Sequence, residues 1–147
     1  MKSTRPTNEL LDLLASRGLA ATTQRLALLA AVLDARDRHV SAEDLYRELS
    51  ESLPTLSRAT VYNNLAVLGN AGLIEKLETP EGSRYGPVAR PHVNLVCTSC
   101  GAIADVLVGD PELERLIERA AQVGRFQRRS VSLSVNGHCS ACIASQP

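Results

Sequence analysis

Two short cysteine pairs, Cys97-x-x-Cys100 and Cys139-x-x-Cys142, constrain this chain more than any other feature, and they account for all four of its cysteines. Residues 1–8 are polar and lack the apolar stretch of a secretory signal, so the expected compartment is the cytoplasm. Structural disulfides are not maintained there. Two Cys-x-x-Cys pairs instead suit one tetrahedral zinc ion held by four thiolates at about 2.3 Å. Such a site would tie the start of one segment to the end of the chain and close a loop of roughly forty residues. With no open coordination position it would be structural. The other reading is two unrelated redox pairs; in a variant of the zinc reading, oxidation of the thiols would eject the metal, loosen a dimer and so act as a switch.

A staple of this kind matters because aromatic residues make up only 3% of the chain and Trp is absent. Hydrophobic residues nevertheless reach 44%, enough for a core of Leu, Val, Ile and Ala. No apolar run is long enough to span a membrane. Lys and Arg (16) balance Asp and Glu (16), so a nucleic-acid surface would have to be local.

Leu10, Leu11 and Leu14, then Leu26, Leu29, Val32 and Leu33, recur at helical spacing. Thr22 or Thr23 caps the second of these helices. Ser41, followed by Glu43 and Asp44, opens a third helix expected to run to Leu53, where Pro54 stops it. Ser57 caps a fourth that ends near Gly72. Strands at Ile74–Leu77 and Ser83–Gly86 flank the turn Thr79-Pro80-Glu81-Gly82. Pro87–Pro91 reads as a hinge. Strands follow at Asn94–Cys97 and Ile103–Val108, then a helix at Pro111–Val123 and a third strand at Phe126–Val135. The predicted class is α+β. A winged helix-turn-helix domain at 1–86 and a hinge at 87–91 precede an α/β dimerisation and metal-binding domain at 92–147.

The segment Pro54–Gly72 holds one charge, Arg58, and no acid. Ser57, Arg58, Thr60, Tyr62, Asn63 and Asn64 are expected on its exposed face, with Val61, Leu65 and Leu68 turned inward. A helix without carboxylates enters a DNA groove without repulsion, and Asn and Thr can read adenine and thymine edges. Arg84 in the hairpin is placed to meet a phosphate. An enzyme is not expected. A zinc deaminase, the nearest competing class, needs His-x-Glu beside Cys-x-x-Cys, whereas His92 is followed by Val93-Asn94.

Ala59-Thr60-Val61-Tyr62-Asn63-Asn64-Leu65 with Leu68 and Gly72-Leu73 resembles the recognition helix of the ferric uptake regulator family. Gly18-Leu19, Thr22-x-Gln24-Arg25, His39-x-Ser41-Ala42-Glu43-Asp44-Leu45-Tyr46, His92 and Cys97-x-x-Cys100-Gly101 extend that resemblance from about Leu10 to Cys142. Asn63-Asn64 and Asp105 resemble the peroxide-responsive branch. The resemblance implies a homodimeric, metal-dependent repressor that binds a palindromic operator in double-stranded DNA and controls peroxide-stress or metal-homeostasis genes. It implies structural zinc on Cys97, Cys100, Cys139 and Cys142, and DNA contacts that include Arg25.

It also implies a regulatory Fe²⁺ or Mn²⁺ between the domains. Carried over by position, its ligands are His39, His92, Asn94 and Asp105, with Gly86 where a carboxylate is expected. Asn94 offers only a neutral carbonyl, and Gly86 offers nothing. The alternative is therefore a metal-independent or thiol-switched regulator with a degenerate sensor.

Overall fold

The computed structural model describes residues 6–35, 38–88, 92–107, 111–128 and 131–145. The chain divides into two compact units, Met1–Glu78 with Gly82–Val88, and Ala89–Pro147 with Thr79–Glu81.

The first unit contains α1 (Thr7–Ser16), α2 (Thr23–Asp34), α3 (Ala42–Leu49) and α4 (Arg58–Asn70), followed by strands β1 (Ile74–Thr79) and β2 (Gly82–Pro87) in a two-stranded sheet. Three of its helices begin at a hydroxyl cap, because the first backbone N–H groups of a helix have no internal acceptor. Thr22 accepts from Arg25 N, Ser41 from Asp44 N and Ser57 from Thr60 N. At α3 the arrangement is reciprocal, since the Asp44 carboxylate accepts from Ser41 N. Gly72, at φ 70°, ends α4, a left-handed position that favours glycine.

Leu10 and Leu14 of α1 pack with Leu28, Leu29 and Val32 of α2, Leu45 of α3 and Val61, Leu65 and Leu68 of α4 in one buried cluster. Ile74 of β1 and Tyr85 of β2 close it. An isolated bridge joins the loop before α3 to β2: Val40 N donates to Tyr85 O and Tyr85 N to Val40 O, both at 2.8 Å. It fixes the residues on either side, His39 and Gly86, against each other.

The second unit is a three-stranded sheet in the order β4-β3-β5, with β3 (His92–Cys97) central, β4 (Ile103–Leu107) antiparallel to it and β5 (Leu133–Gly137) parallel. Helix α5 (Pro111–Val123) lies in the connection between β4 and β5, and α6 (Ser140–Ala144) ends the described chain.

Several boundaries differ from the sequence-based expectations. Helix α3 stops at Leu49, not Leu53, before Pro54 is reached. The hydroxyls of Ser50 and Ser52 turn back on the carbonyls of Arg47 and Leu49, a local bond that competes with the helical ladder. Both hairpin strands extend beyond their predicted ends, and Pro87 belongs to β2. Strand β5 begins at Leu133, and Phe126 lies outside it, 79% exposed. The short helix α6 was read only as a tail. Residues 89–91 of the expected hinge, and Val108, lie outside the described residues.

Candidate functional site

The four cysteines converge. Each can present its sulfur so that all four lie within 4.8 Å of one another. The Cys97 and Cys142 sulfurs are 3.8 Å apart, as are those of Cys100 and Cys139. Four sulfurs at about 2.3 Å from one tetrahedral ion stand roughly 3.8 Å apart, so the donor set fits zinc. Local structure explains the convergence. Cys97 ends β3, and a tight knuckle follows, in which Gly101 N donates to Cys97 O at 2.9 Å with Gly101 at φ 72°. Strand β5 runs beside β3 with Gly137 opposite Cys97, and Thr98 N donates to Gly137 O. Cys139 therefore emerges next to Cys97 at the residue just before α6, which places Cys142 one turn further along.

The electrostatics of the cluster call for a cation. Backbone N–H groups of Cys139, Cys100 and Ser99 pull the Cys97 thiol down to about 5. Hydrogen bonds with Cys139, Cys100 and Cys97 push Cys142 up to about 12. The Cys97 sulfur is readily a thiolate, and that of Cys142 resists becoming one. A dication removes that conflict, and zinc–thiolate coordination is what four such sulfurs support.

The second group lies within the first unit. His39 Nε2 is 2.8 Å from Glu75 Oε1, and the two side chains are only 2% and 7% exposed. The other ring nitrogen, Nδ1, is buried without a hydrogen-bond partner. Gly86 lies against the ring. A Cβ there would stand 2.6 Å from His39 Cδ2 and 2.7 Å from Nε2. Glu75 was not anticipated from the sequence. Its signal was a carboxylate in phase with buried Leu77 on a strand whose alternate residues, Lys76 and Glu78, are exposed.

In the second unit, His92 and Asn94 alternate along β3 on one face, and Asn94 pairs in register with Asp105 of β4. Asn94 is fully buried. Its amide nitrogen donates to Leu133 O at 3.4 Å, while its carbonyl oxygen has no partner. An orphaned buried oxygen is a fitting donor to a cation. Asp105 is exposed.

The third group is the polar side of α4. Ser57, Arg58, Tyr62 and Asn63 are exposed and Thr60 is half-buried. Ser57 and Thr60 hydroxyls bond each other at 2.8 Å. Arg58 forms a two-point bond with Glu43 of α3, at 2.9 and 2.8 Å, and stacks 4.2 Å from the Tyr46 ring centroid. Glu43 is correspondingly held below the usual carboxylate range, chiefly by that bond. Arg84 approaches Asp44 at 3.6 Å.

Asn64 departs from expectation. It is 9% exposed and turns inward, where it accepts from Arg25 Nε at 3.1 Å and donates to Thr60 O. Its place in the helical repeat is that of Val61 and Leu68, about one turn either way. Arg25 also donates to Ala20 O at 2.6 Å, so its guanidinium is held at the start of α2.

The chain is similar to known proteins. The Ferric uptake regulator family matches over residues 16–136. The peroxide operon regulator of Bacillus subtilis strain 168 is 34% identical over 135 residues, 91% of each chain. The ferric uptake regulator of Helicobacter pylori, whose structure is described as having three functional metal-binding sites, superposes with a TM-score of 0.66 at 25% identity over the whole of both chains. A zinc uptake regulator solved with zinc and DNA superposes at 0.60 with 28% identity, over 96% of this chain and 97% of that one. With most of its length matched, this chain belongs to the ferric uptake regulator family.

Proposed function

We propose that the protein is a metal-dependent repressor of transcription, not an enzyme, and that it controls genes of peroxide stress or metal homeostasis. The first unit would act as a winged helix-turn-helix, with α4 in the major groove and the β1–β2 hairpin as the wing. One observation carries this reading. Helix α4 is anchored by Val61, Leu65 and Leu68, has no carboxylate of its own, and offers Ser57, Arg58, Thr60, Tyr62 and Asn63 on its open side. Asn64 serves this surface indirectly by orienting Arg25. A DNA phosphate would compete with Glu43 for Arg58, and with Asp44 for Arg84.

The second unit would form a two-fold dimer, so that two α4 helices read a palindrome. Leu95, Val106, Leu116, Phe126 and Val135 are all exposed and would lie in or beside the shared face. Dimerisation also doubles the local basic surface of a chain with no net charge. Zinc on the four cysteines would be structural. A regulatory Fe²⁺ or Mn²⁺ would draw on His39 of the first unit and on His92, Asp105 and the Asn94 carbonyl of the second. It would then favour one arrangement of the two units, and couplings of this type are about 1–3 kcal/mol.

A mobility shift on DNA upstream of the protein's own gene tests this. Binding should strengthen with Mn²⁺, weaken with a mild chelator that leaves zinc in place, and fall steeply between about 50 and 200 mM salt. Peroxide should release the iron-loaded form if the peroxide branch is the right one. The absence of any side chain at 86 favours a second reading, a metal-independent regulator, for which the shift would ignore both Mn²⁺ and chelator.

A further inference from the structure

The residue that departs furthest from the family pattern, Gly86, lies against the ring of His39, and that ring meets a carboxylate that the pattern does not include. We infer that Glu75 is the anionic ligand which the first unit contributes to the regulatory metal, in place of a carboxylate at 86. The inference rests on the metal-dependent reading above and specifies how this chain achieves it.

Three observations within the first unit point the same way. First, Glu75 Oε1 lies 2.8 Å from His39 Nε2. Two atoms bound about 2.1 Å from a common ion stand roughly 3 Å apart, so this spacing suits neighbouring ligands of one metal. Second, both side chains are almost wholly buried, at 2% and 7% exposure, where a carboxylate is costly unless something positive accompanies it. A divalent ion shared by both groups would supply that positive charge.

Third, Gly86 is needed for space, not for conformation. It is not among the glycines with positive φ. Any side chain there would begin 2.6 Å from His39 Cδ2, against the same Nε2 edge of the ring that Glu75 approaches. The neighbouring Val40–Tyr85 bridge holds the backbone at both residues, so room for a side chain at 86 would have to come from turning the His39 ring away from Glu75. With His39 so placed, a carboxylate can reach that edge from position 75 of β1 and not from position 86 of β2. The missing ligand thus reads as a relocation across the hairpin.

The alternative is that Glu75 only orients the imidazole, as carboxylates commonly do behind a metal-bound histidine. In that case the metal would sit at Nδ1, the far side of the ring from Gly86.

The test uses the full-length, zinc-loaded protein. Mn²⁺ affinity would be measured from the electron paramagnetic resonance of the free ion, and the ligand field from the visible bands of Co²⁺. Wild type should take one ion beyond zinc. Glu75→Gln should weaken it by about a hundredfold or more and change the Co²⁺ bands, with zinc content and circular dichroism unchanged. Glu75→Asp should retain most of the affinity, which covers the case in which the amide variant fails to fold. Adding Gly86→Asp to Glu75→Gln should recover nothing, because a side chain at 86 meets the His39 ring; recovery of the affinity would overturn the relocation.

If wild type takes the second ion and Glu75→Gln binds it equally well, the inference fails and the metal-dependent reading survives. Weaker binding with unchanged Co²⁺ bands would also overturn it, since Glu75 would then be a positioning residue. No second ion in wild type would remove both.

Discussion

The two units solve the problem of stability in different ways. The first buries leucines from four helices in one cluster, with Leu14, Leu28, Leu29, Leu45, Leu65 and Leu68 almost wholly hidden. Each contributes roughly 1.5–3 kcal/mol by leaving water. Among its described residues the second has no comparable interior. Helix α5 has no buried residue, and Leu107, Leu116, Val123 and Phe126 are 64–79% exposed. Its sheet hides His92, Asn94 and Val96 on one face but leaves Leu95, Val106 and Val135 open on the other. A chain with so few aromatic side chains makes one self-sufficient core. Its second unit needs a metal clamp and, as proposed, a second copy of itself. That division suits a regulator, in which one part keeps a rigid surface while the other depends on metal and partner.

The sharpest way to break this contrast is to remove the clamp. Cys97→Ser or Cys142→Ser, or prolonged treatment with a strong chelator, should abolish zinc binding and unfold the second unit, since thiolate ligation and folding are one equilibrium in such small domains. The protein should become monomeric by sedimentation, while hydrogen exchange in α2 and α4 stays protected. Equal loss of protection in both units would show that the first is not self-sufficient.

The converse change attacks the core. Leu65 is 1% exposed at the centre of the helical cluster. Leu65→Ala should cost about 2–5 kcal/mol and lower the melting temperature of the first unit by roughly 10 °C or more. Zinc stoichiometry should not change. A smaller effect is expected at the proposed dimer face, where Leu116→Glu should raise the dimer dissociation constant about a hundredfold, or about 2.7 kcal/mol. Sedimentation equilibrium reads this directly, and an unchanged constant would place the interface elsewhere.

How much was legible in the sequence follows the same division. Hydrophobic period and hydroxyl caps located the first-unit helices to within a few residues, because Thr22, Ser41 and Ser57 act on their own next turn. The cysteine spacing indicated a four-thiol centre because Cys-x-x-Cys geometry is also local. Three features were not legible. The early end of α3 depends on serine hydroxyls choosing carbonyls over solvent. The inward turn of Asn64 depends on Arg25, 39 residues away. Glu75 is a strand residue whose meaning comes only from a loop 36 positions earlier folding over it. Pattern reading sees neighbours in sequence, and each of these is settled by a partner distant in sequence or by a choice between near-equal hydrogen bonds.

The smallest expected effect tests whether the first unit depends on details as local as its caps. Ser41 Oγ donates to Asp44 Oδ2 at 2.6 Å and also accepts from Asp44 N at 3.0 Å, so one hydroxyl serves both halves of the cap. The Ser41 hydrogen bond, with further help from the Ser41 backbone N–H, holds Asp44 below its ordinary value of 3.8. The folded state therefore binds this proton less readily than the unfolded chain. The cap's contribution is complete above about pH 5 and is lost as the pH falls below 3.8 and through the lower folded value. Asp44 is 45% exposed, so solvent screens much of the charge and the gain stays small. Ser41→Ala should cost about 1 kcal/mol at neutral pH. The gap between variant and wild type should narrow in acid, as measured by urea unfolding of the first unit at pH 7 and pH 3. A gap that stays constant would mean that the hydroxyl acts on the backbone alone and that Asp44 takes no part in the cap.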